Sequence, residues 1–494
     1  MALIPLQIPP GVVRVGTEYE QSNRWRDASL VRWHNGSMRP VGGWSVRTST
    51  VTAAAPRGMH VWSDNTDGSN TVLGDYNSLI YVNASGTATD ITPAGILDGA
   101  EDAEVNVGYG GTFYGTGYYG VERPNNGAFQ EATTWSLDNW GEYLVACNPA
   151  DGKIYEWQLD TAVAAAQVSN APTNNLGLIV TEERFLFALG AGGNPRKVQW
   201  CDKEDNTLWT PAATNEAGDI ELQTSGQIMT AVRVRGRTLI ITDNDAHIAT
   251  YSGPPFVFGF ERVGTACGII ARKAVAAVDE GAFWMGPRGF FMFDGSVAKE
   301  IPCEVSDYVF SNINRNQISK TYAVHNSQFG EIWWFYPSND SFENNKYVAY
   351  DYLENHWEIG EIDRTCGVDR GVFNNPIWAD ASGNTYNQEM SASLGHGSYT
   401  VFAETGPISL AAGDKVMKVT SLIPDEKNQG NVTVTFKTRF YPNASESSFG
   451  PFSMANPTDV RFTGRQIRMR VEGNVNTDWR AGIMRIEAKA GGKR

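Results

Sequence analysis

Residues able to ligate a metal or attack a bond are few, and they do not cluster. His34, His60, His247, His325, His356 and His396 stand singly near aromatics or turns. No two have the spacing by which one helix face or hairpin would ligate a metal, so each reads as a structural imidazole. The five cysteines, Cys147, Cys201, Cys267, Cys303 and Cys366, are at least 36 residues apart, with no CxxC pair. They read as reduced, mostly buried thiols of a protein made in a reducing compartment. GxSxG, HExxH, Walker A and Rossmann fingerprints are absent.

Two acidic turns come nearest to chemistry. Asp64-Asn65-Thr66-Asp67-Gly68 superficially resembles a calcium loop, but its order fails and no bidentate Glu follows at the twelfth position. It reads as an Asx-type turn. Asp202-Lys203-Glu204-Asp205-Asn206-Thr207-Leu208-Trp209 resembles the Asp-box hairpin turn of sialidase propellers, without its usual Ser and central Gly. That turn is structural and remote from catalysis. The expectation is no catalytic residue, no metal and no cofactor.

The elements that would position any site are β-strands. The chain has 494 residues, 51 Gly, 22 Pro and 11% aromatics, with 19% charged residues against about 25% in typical domains. That composition excludes disorder and coiled coil. No run of 18 apolar residues exists, which argues against membrane insertion by a helix. Met1-Ala2-Leu3-Ile4-Pro5 lacks a basic start and is followed by Pro9 and Pro10, so a signal peptide is not expected. The net charge is −15, unsuited to gripping nucleic acid over the whole surface. Residues 461–494 hold nine basic and three acidic side chains, a net of +6, leaving −21 for residues 1–460.

Residues 24–44 read as a hairpin. Leu30 to Trp33 forms one arm, Asn35-Gly36 the type I′ turn, and Met38-Arg39-Pro40 the second arm, which Pro40 limits to an edge or a bulge. Gly42-Gly43 then redirects the chain before Trp44. From 55 to 397 a theme repeats, a short apolar strand followed by a strand carrying an aromatic. Those aromatics are Tyr81, Tyr155, Trp200, Tyr251, Phe293, Tyr350 and Tyr386, mostly near the 40–50 residue period of a four-stranded blade. The long first interval contains the Gly- and Tyr-rich segment 108–120. The expected fold is all-β, a β-propeller of six or seven irregular blades over 55–397. It would follow an N-terminal arm and hairpin over 1–54 and precede a small antiparallel β domain, sandwich-like, over 398–494. Short helices are expected in 160–167 and 307–322.

Three segments resemble tail proteins of short-tailed bacteriophages. They are Arg32-Trp33 with Met38-Arg39-Pro40-Val41-Gly42-Gly43-Trp44, then Asn194 to Asp202 with Asp205 to Pro211, and Gly464 to Arg470 with Trp479-Arg480-Ala481-Gly482. The structural positions singled out are Trp33, Asn35, Gly36, Arg39, Pro40, Gly42, Gly43, Trp44, Trp200, Asp202, Asp205 and Trp209. The resemblance implies a tail hub or nozzle protein, also called a packaged-DNA stabilisation protein. Such a protein is made in the host cytoplasm and placed in the virion as a ring, commonly a hexamer, below the portal and adaptor. It would retain the genome, let double-stranded DNA pass without specific contact, and mount fibres or spikes. In that setting Asp98, Glu101, Asp102 and Glu104 would line the channel, and Arg468 and Arg470 would face a neighbouring subunit or the adaptor. The alternative is a glycan-binding or glycan-hydrolysing propeller.

Overall fold

The structure is a computed structural model that describes residues 2–105, 129–409, 415–427, 432–441, 444–454, 456–473 and 477–491. The segment 108–120 lies outside them. Seven four-stranded antiparallel sheets follow one another along the chain as the blades of a β-propeller. Their innermost strands begin at Gly58, Ser136, Gly177, Ile228, Val275, Tyr322 and Cys366, and each packs beside the next until the seventh meets the first. Second strands such as Glu331–Tyr336 are buried along their whole length, because neighbouring blades cover both faces. The seven aromatics that set the repeat fall one to a blade, each on the third strand. There the ring packs against a neighbour: Tyr81 lies 4.7 Å from Trp157, and Phe185 lies 5.6 Å from Tyr251.

The chain divides differently at its N-terminus from the boundary at residue 54. Gly43–Thr48 is the outermost strand of the seventh blade, paired with Thr385–Met390. The seventh blade is thus completed by a strand from the opposite end of the sequence, which covers the outer edge of Thr385–Met390. Ala2–Leu6 pairs with Met484–Ala490, and Trp25–Ser29 pairs with Phe402–Thr405. Both belong to the C-terminal unit, whose sheets are four- and six-stranded. These sheets share a core in which Phe462 of one packs against Phe436 of the other at 4.9 Å. Residues 458–472 are split at Arg465 between the two sheets, as Thr458–Gly464 and Gln466–Glu472.

Helix is confined to Ser306–Asn312 and single 3-10 turns among the described residues. The helix expected over 160–167 does not form. Asp160 accepts from the Ala162 N–H in an Asx turn, and Trp157 Nε1 donates to the Asp160 and Val163 carbonyls. Local side-chain bonding outcompetes alanine's helix propensity there.

Candidate functional site

The first resemblance segment is a hairpin, Val31–His34 with Ser37–Pro40. Asn35 and Gly36 have φ of 52° and 72°, as a type I′ turn requires. The Asn35 N–H donates to Glu354 Oε1 at 2.7 Å, and the Trp33 N–H to Glu358 Oε1 at 3.0 Å. Both acceptors belong to the sixth blade. Arg32 is buried where the sixth and seventh blades meet. Its Nε lies 2.7 Å from Glu331 Oε1, and Nη2 donates to Glu331 Oε2 at 2.8 Å. Nη1 donates to Glu389 Oε2 at 2.8 Å. Asn326 Nδ2 donates to both carboxylates, and the guanidinium carbon sits 3.8 Å from the Phe329 ring centroid. Arg39 stacks on the same ring at 4.7 Å.

Burial disfavours charge throughout this cluster. It pushes Glu331 up to about 8 against the pull of Arg32, with the Glu358 and Glu389 carboxylates adding to the rise. Burial acts the same way on Glu389, but Arg32 and the Gly42 N–H override it and hold that carboxyl below its ordinary value. His356, 3.4 Å from Glu358, is raised by that carboxylate against burial. The arrangement pairs Arg32 with Glu389 and His356 with Glu358, while Glu331 binds a proton most tightly. Sequence reading passed over Glu331, Glu358 and Glu389. The available signal was a lone Glu opening the apolar run Ile332 to Tyr336.

Gly42 and Gly43 serve close approach rather than a turn. A Cβ on Gly42 would lie 2.6 Å from Glu389 Cα, and one on Gly43 would lie 2.8 Å from the Gly395 and Ser391 carbonyl oxygens. Pro40 ends the hairpin as a buried residue. Trp44 packs against His396 at 5.4 Å and under Arg364 at 5.0 Å.

The third segment meets the first. The Met38 N–H donates to the Ala481 carbonyl at 3.0 Å, and the Ala481 N–H returns to the Met38 carbonyl at 2.9 Å. Trp479 is buried beside them. The second segment carries the third strand of the third blade, Lys197–Trp200, and part of the connection to its fourth. Asp202 and Asp205 form a bridge, Asp205 Oδ1 accepts from the Thr207 N–H and hydroxyl, and Trp209 Nε1 donates to the Asn206 carbonyl. Trp209 fills a core with Val145 and Leu186, while Trp200 packs on Phe187 and Phe258. In the other acidic turn, Asp64 accepts from Thr66, Gly68 and Asn70. These donors, the Thr66 hydroxyl first, hold its carboxyl down at about 2.

No protein-family model matches the chain, and no curated protein sequence does. Among solved structures it is similar to virginiamycin B lyase from Staphylococcus aureus, at 9% identity and TM-score 0.44, covering 70% of this chain and 98% of that one. A streptogramin B lyase is similar at 10% identity and TM-score 0.42, covering 69% and 96%. BamB from Moraxella catarrhalis is similar at 11% and 0.38, covering 72% and 94%.

Of the four clustered acids, Asp102 is bound by the buried Lys320, which also contacts Glu343 Oε1 at 2.7 Å. Asp98, Glu101 and Glu104 are exposed on the connection between the first and second blades. Arg468 and Arg470 converge with Lys437 on one buried carboxylate, Glu404. Their outer contacts are Glu446 at 3.2 Å and Glu472 at 3.1 Å. Both arginines are thus engaged inside the chain.

Two of the cavities among the described residues bear on function. One of about 480 Å³ lies between the fifth and sixth blades, lined by Phe283, Tyr350, Tyr352, Asp279, Glu280 and Arg235. Phe283 and Tyr352 stack in it at 5.4 Å. The other, about 290 Å³, lies on the propeller axis. Among the described residues no group of three or more His, Cys, Asp or Glu is placed to hold a metal.

Proposed function

We propose that this chain is a structural subunit of a short phage tail. Six copies form a ring that continues the DNA channel below the portal and adaptor, retains the genome and mounts fibres or spikes, with no chemistry of its own. The observation that carries this reading is the Met38–Ala481 bridge. Two of the three segments that resemble tail hub proteins lie more than 440 residues apart in sequence, yet they are hydrogen-bonded to one another. Together with the buried Arg32 cluster they tie the C-terminal unit to the last two blades, a joint that suits a subunit transmitting load. An acidic wall would help passage, since each fixed basic contact to phosphate adds a counterion-release term and slows transit. Asp98, Glu101 and Glu104 are the exposed candidates for it.

Electron microscopy of the purified chain, alone and with its adaptor, tests the proposal. A sixfold ring is expected. A monomer in both conditions, or a lumen lined mainly by Lys and Arg, would count against it.

A second reading, glycan binding, is favoured by the cavity between the fifth and sixth blades. Stacked rings flanked by carboxylates and an arginine suit a sugar face and its hydroxyls. Binding of host polysaccharide that is lost in Tyr352→Ala would support that reading.

A further inference from the structure

The axial cavity collects groups from several blades. His60 comes from the first blade, Asp138 from the second, Arg233 from the fourth, and Tyr322 from the sixth; Arg272 and Lys273 precede the fifth. Arg233 grips Asp138 with both prongs, at 2.7 and 3.1 Å, which consumes that carboxylate. Arg272 donates to the Met229 carbonyl at 3.2 Å, and its guanidinium stands 3.8 Å from Glu131, itself 38% exposed. Lys273 is half-buried, and its ammonium makes no hydrogen bond or ion pair with any described residue. Three cations thus meet two carboxylates at the centre of a chain whose net charge is −15.

Burial depresses Lys273 to about 8, with Asp138 and Cys366 only partly opposing it. Burial likewise lowers Arg272 and His60. Water filling the cavity would complete hydrogen bonds but leave the surplus charge uncompensated. The volume is at the low end for ligand sites and suits a small ion or monoester.

We propose that the axial cavity binds a small oxyanion of the phosphate class, with the Lys273 ammonium as its charge partner and Arg272 beside it. This site is independent of the tail reading, because it needs only the propeller. Binding favours the charged amine, so it draws a proton onto Lys273 when the pH is near or above 8. His60, Asp138, Arg233, Arg272, Tyr322 and Cys366 are the titratable or charged groups facing that amine. Among them Asp138 and Arg233 are already paired with each other.

Two measurements on the full chain test the site. Thermal unfolding at pH 7 in inorganic phosphate, against chloride at matched ionic strength, should show a saturable rise in Tm. Lys273→Met should lose the rise and Lys273→Arg should keep it. Equal rises in wild type and Lys273→Met, or no rise in wild type, overturn the proposal. Should Lys273→Met not fold, wild type alone decides. Calorimetric titration with inorganic phosphate at pH 8, in two buffers of different ionisation heat, should show binding with net proton uptake. Absence of binding, or binding without uptake, sinks it.

Discussion

Arg32 and Glu389 face each other through two parallel contacts, Nη1 to Oε2 at 2.8 Å and Nη2 to Oε1 at 2.5 Å, with both side chains shut off from solvent. Arg32 belongs to the N-terminal hairpin and Glu389 to the third strand of the last blade, 357 residues away. Removing the cation leaves the buried Glu389 and Glu331 without its counter-charge. Arg32→Met should therefore cost about 3–5 kcal/mol of stability. Arg32→Lys should recover only part, because an ammonium cannot fork onto two oxygens. Chemical denaturation of the three proteins checks the order.

The two glycine positions of this segment should respond differently. Gly36 has φ of 72° with open space around it. Gly36→Ala should cost about 1 kcal/mol for backbone strain alone, and Gly36→Val about 1–3 kcal/mol. Gly42→Ala places a methyl against the Glu389 backbone, which cannot move without disturbing the Arg32 contact, so it should cost more than Gly36→Ala. Matched melting curves in which Gly42→Ala is the milder change would contradict the close-approach argument.

Thiol chemistry gives a third prediction. Burial pushes Cys147, Cys201 and Cys366 up to about 12 and Cys267 to about 11, and raises Cys303 as well. At pH 8 almost none of each is thiolate, the reactive form. Native protein should scarcely react with a disulfide reagent such as DTNB, and denatured protein should titrate five thiols. One fast thiol in the native state would show a site more open than this structure.

The propeller was legible because one aromatic per blade recurs on the third strand and each second strand is an apolar run. Those are local patterns, and period and composition reveal them. The closure by Gly43–Thr48 was not legible, since a strand of that length carries no mark of its partner. The same holds for the hairpin: Asn35-Gly36 announced the turn, but nothing local placed Arg32 against carboxylates roughly 300 or more residues away. Arg468 and Arg470 were expected to face a neighbouring subunit or the adaptor. The buried Glu404 opposite them, on a strand some 64 positions earlier, is what draws them in.

That inward pairing changes what an Arg468→Glu/Arg470→Glu variant would report. It sets two new carboxylates beside Glu404 with Lys437 as the remaining cation, so it should destabilise the six-stranded sheet before it affects any assembly. A loss on the order of 3 kcal/mol is expected for breaking this cluster. Glu404→Gln should be milder, because it removes a charge without inverting any. Unfolding of the isolated chain, with no partner present, distinguishes this from an interface effect, which would leave its Tm unchanged.

The pH dependence of the Arg32 cluster follows from Glu331. Its carboxyl is raised to about 8 in the folded chain, mainly by burial, from an ordinary value of 4.5. Between those values the folded chain holds a proton there that the unfolded chain has released. Stability rises with pH only where the unfolded state binds more protons, and here it binds fewer. Glu331 therefore contributes stability that is fully present below about 4.5 and is lost as the pH climbs toward 8. Glu331→Gln has no proton to lose and lacks this slope. Whatever the substitution costs at pH 5, the stability of wild type relative to Glu331→Gln should fall steadily from pH 5 to pH 8. Urea denaturation of both proteins across that range measures it. A difference that stays flat would mean that Arg32 keeps Glu331 ionised throughout, and that Glu331 shares the guanidinium with Glu389 as a full carboxylate.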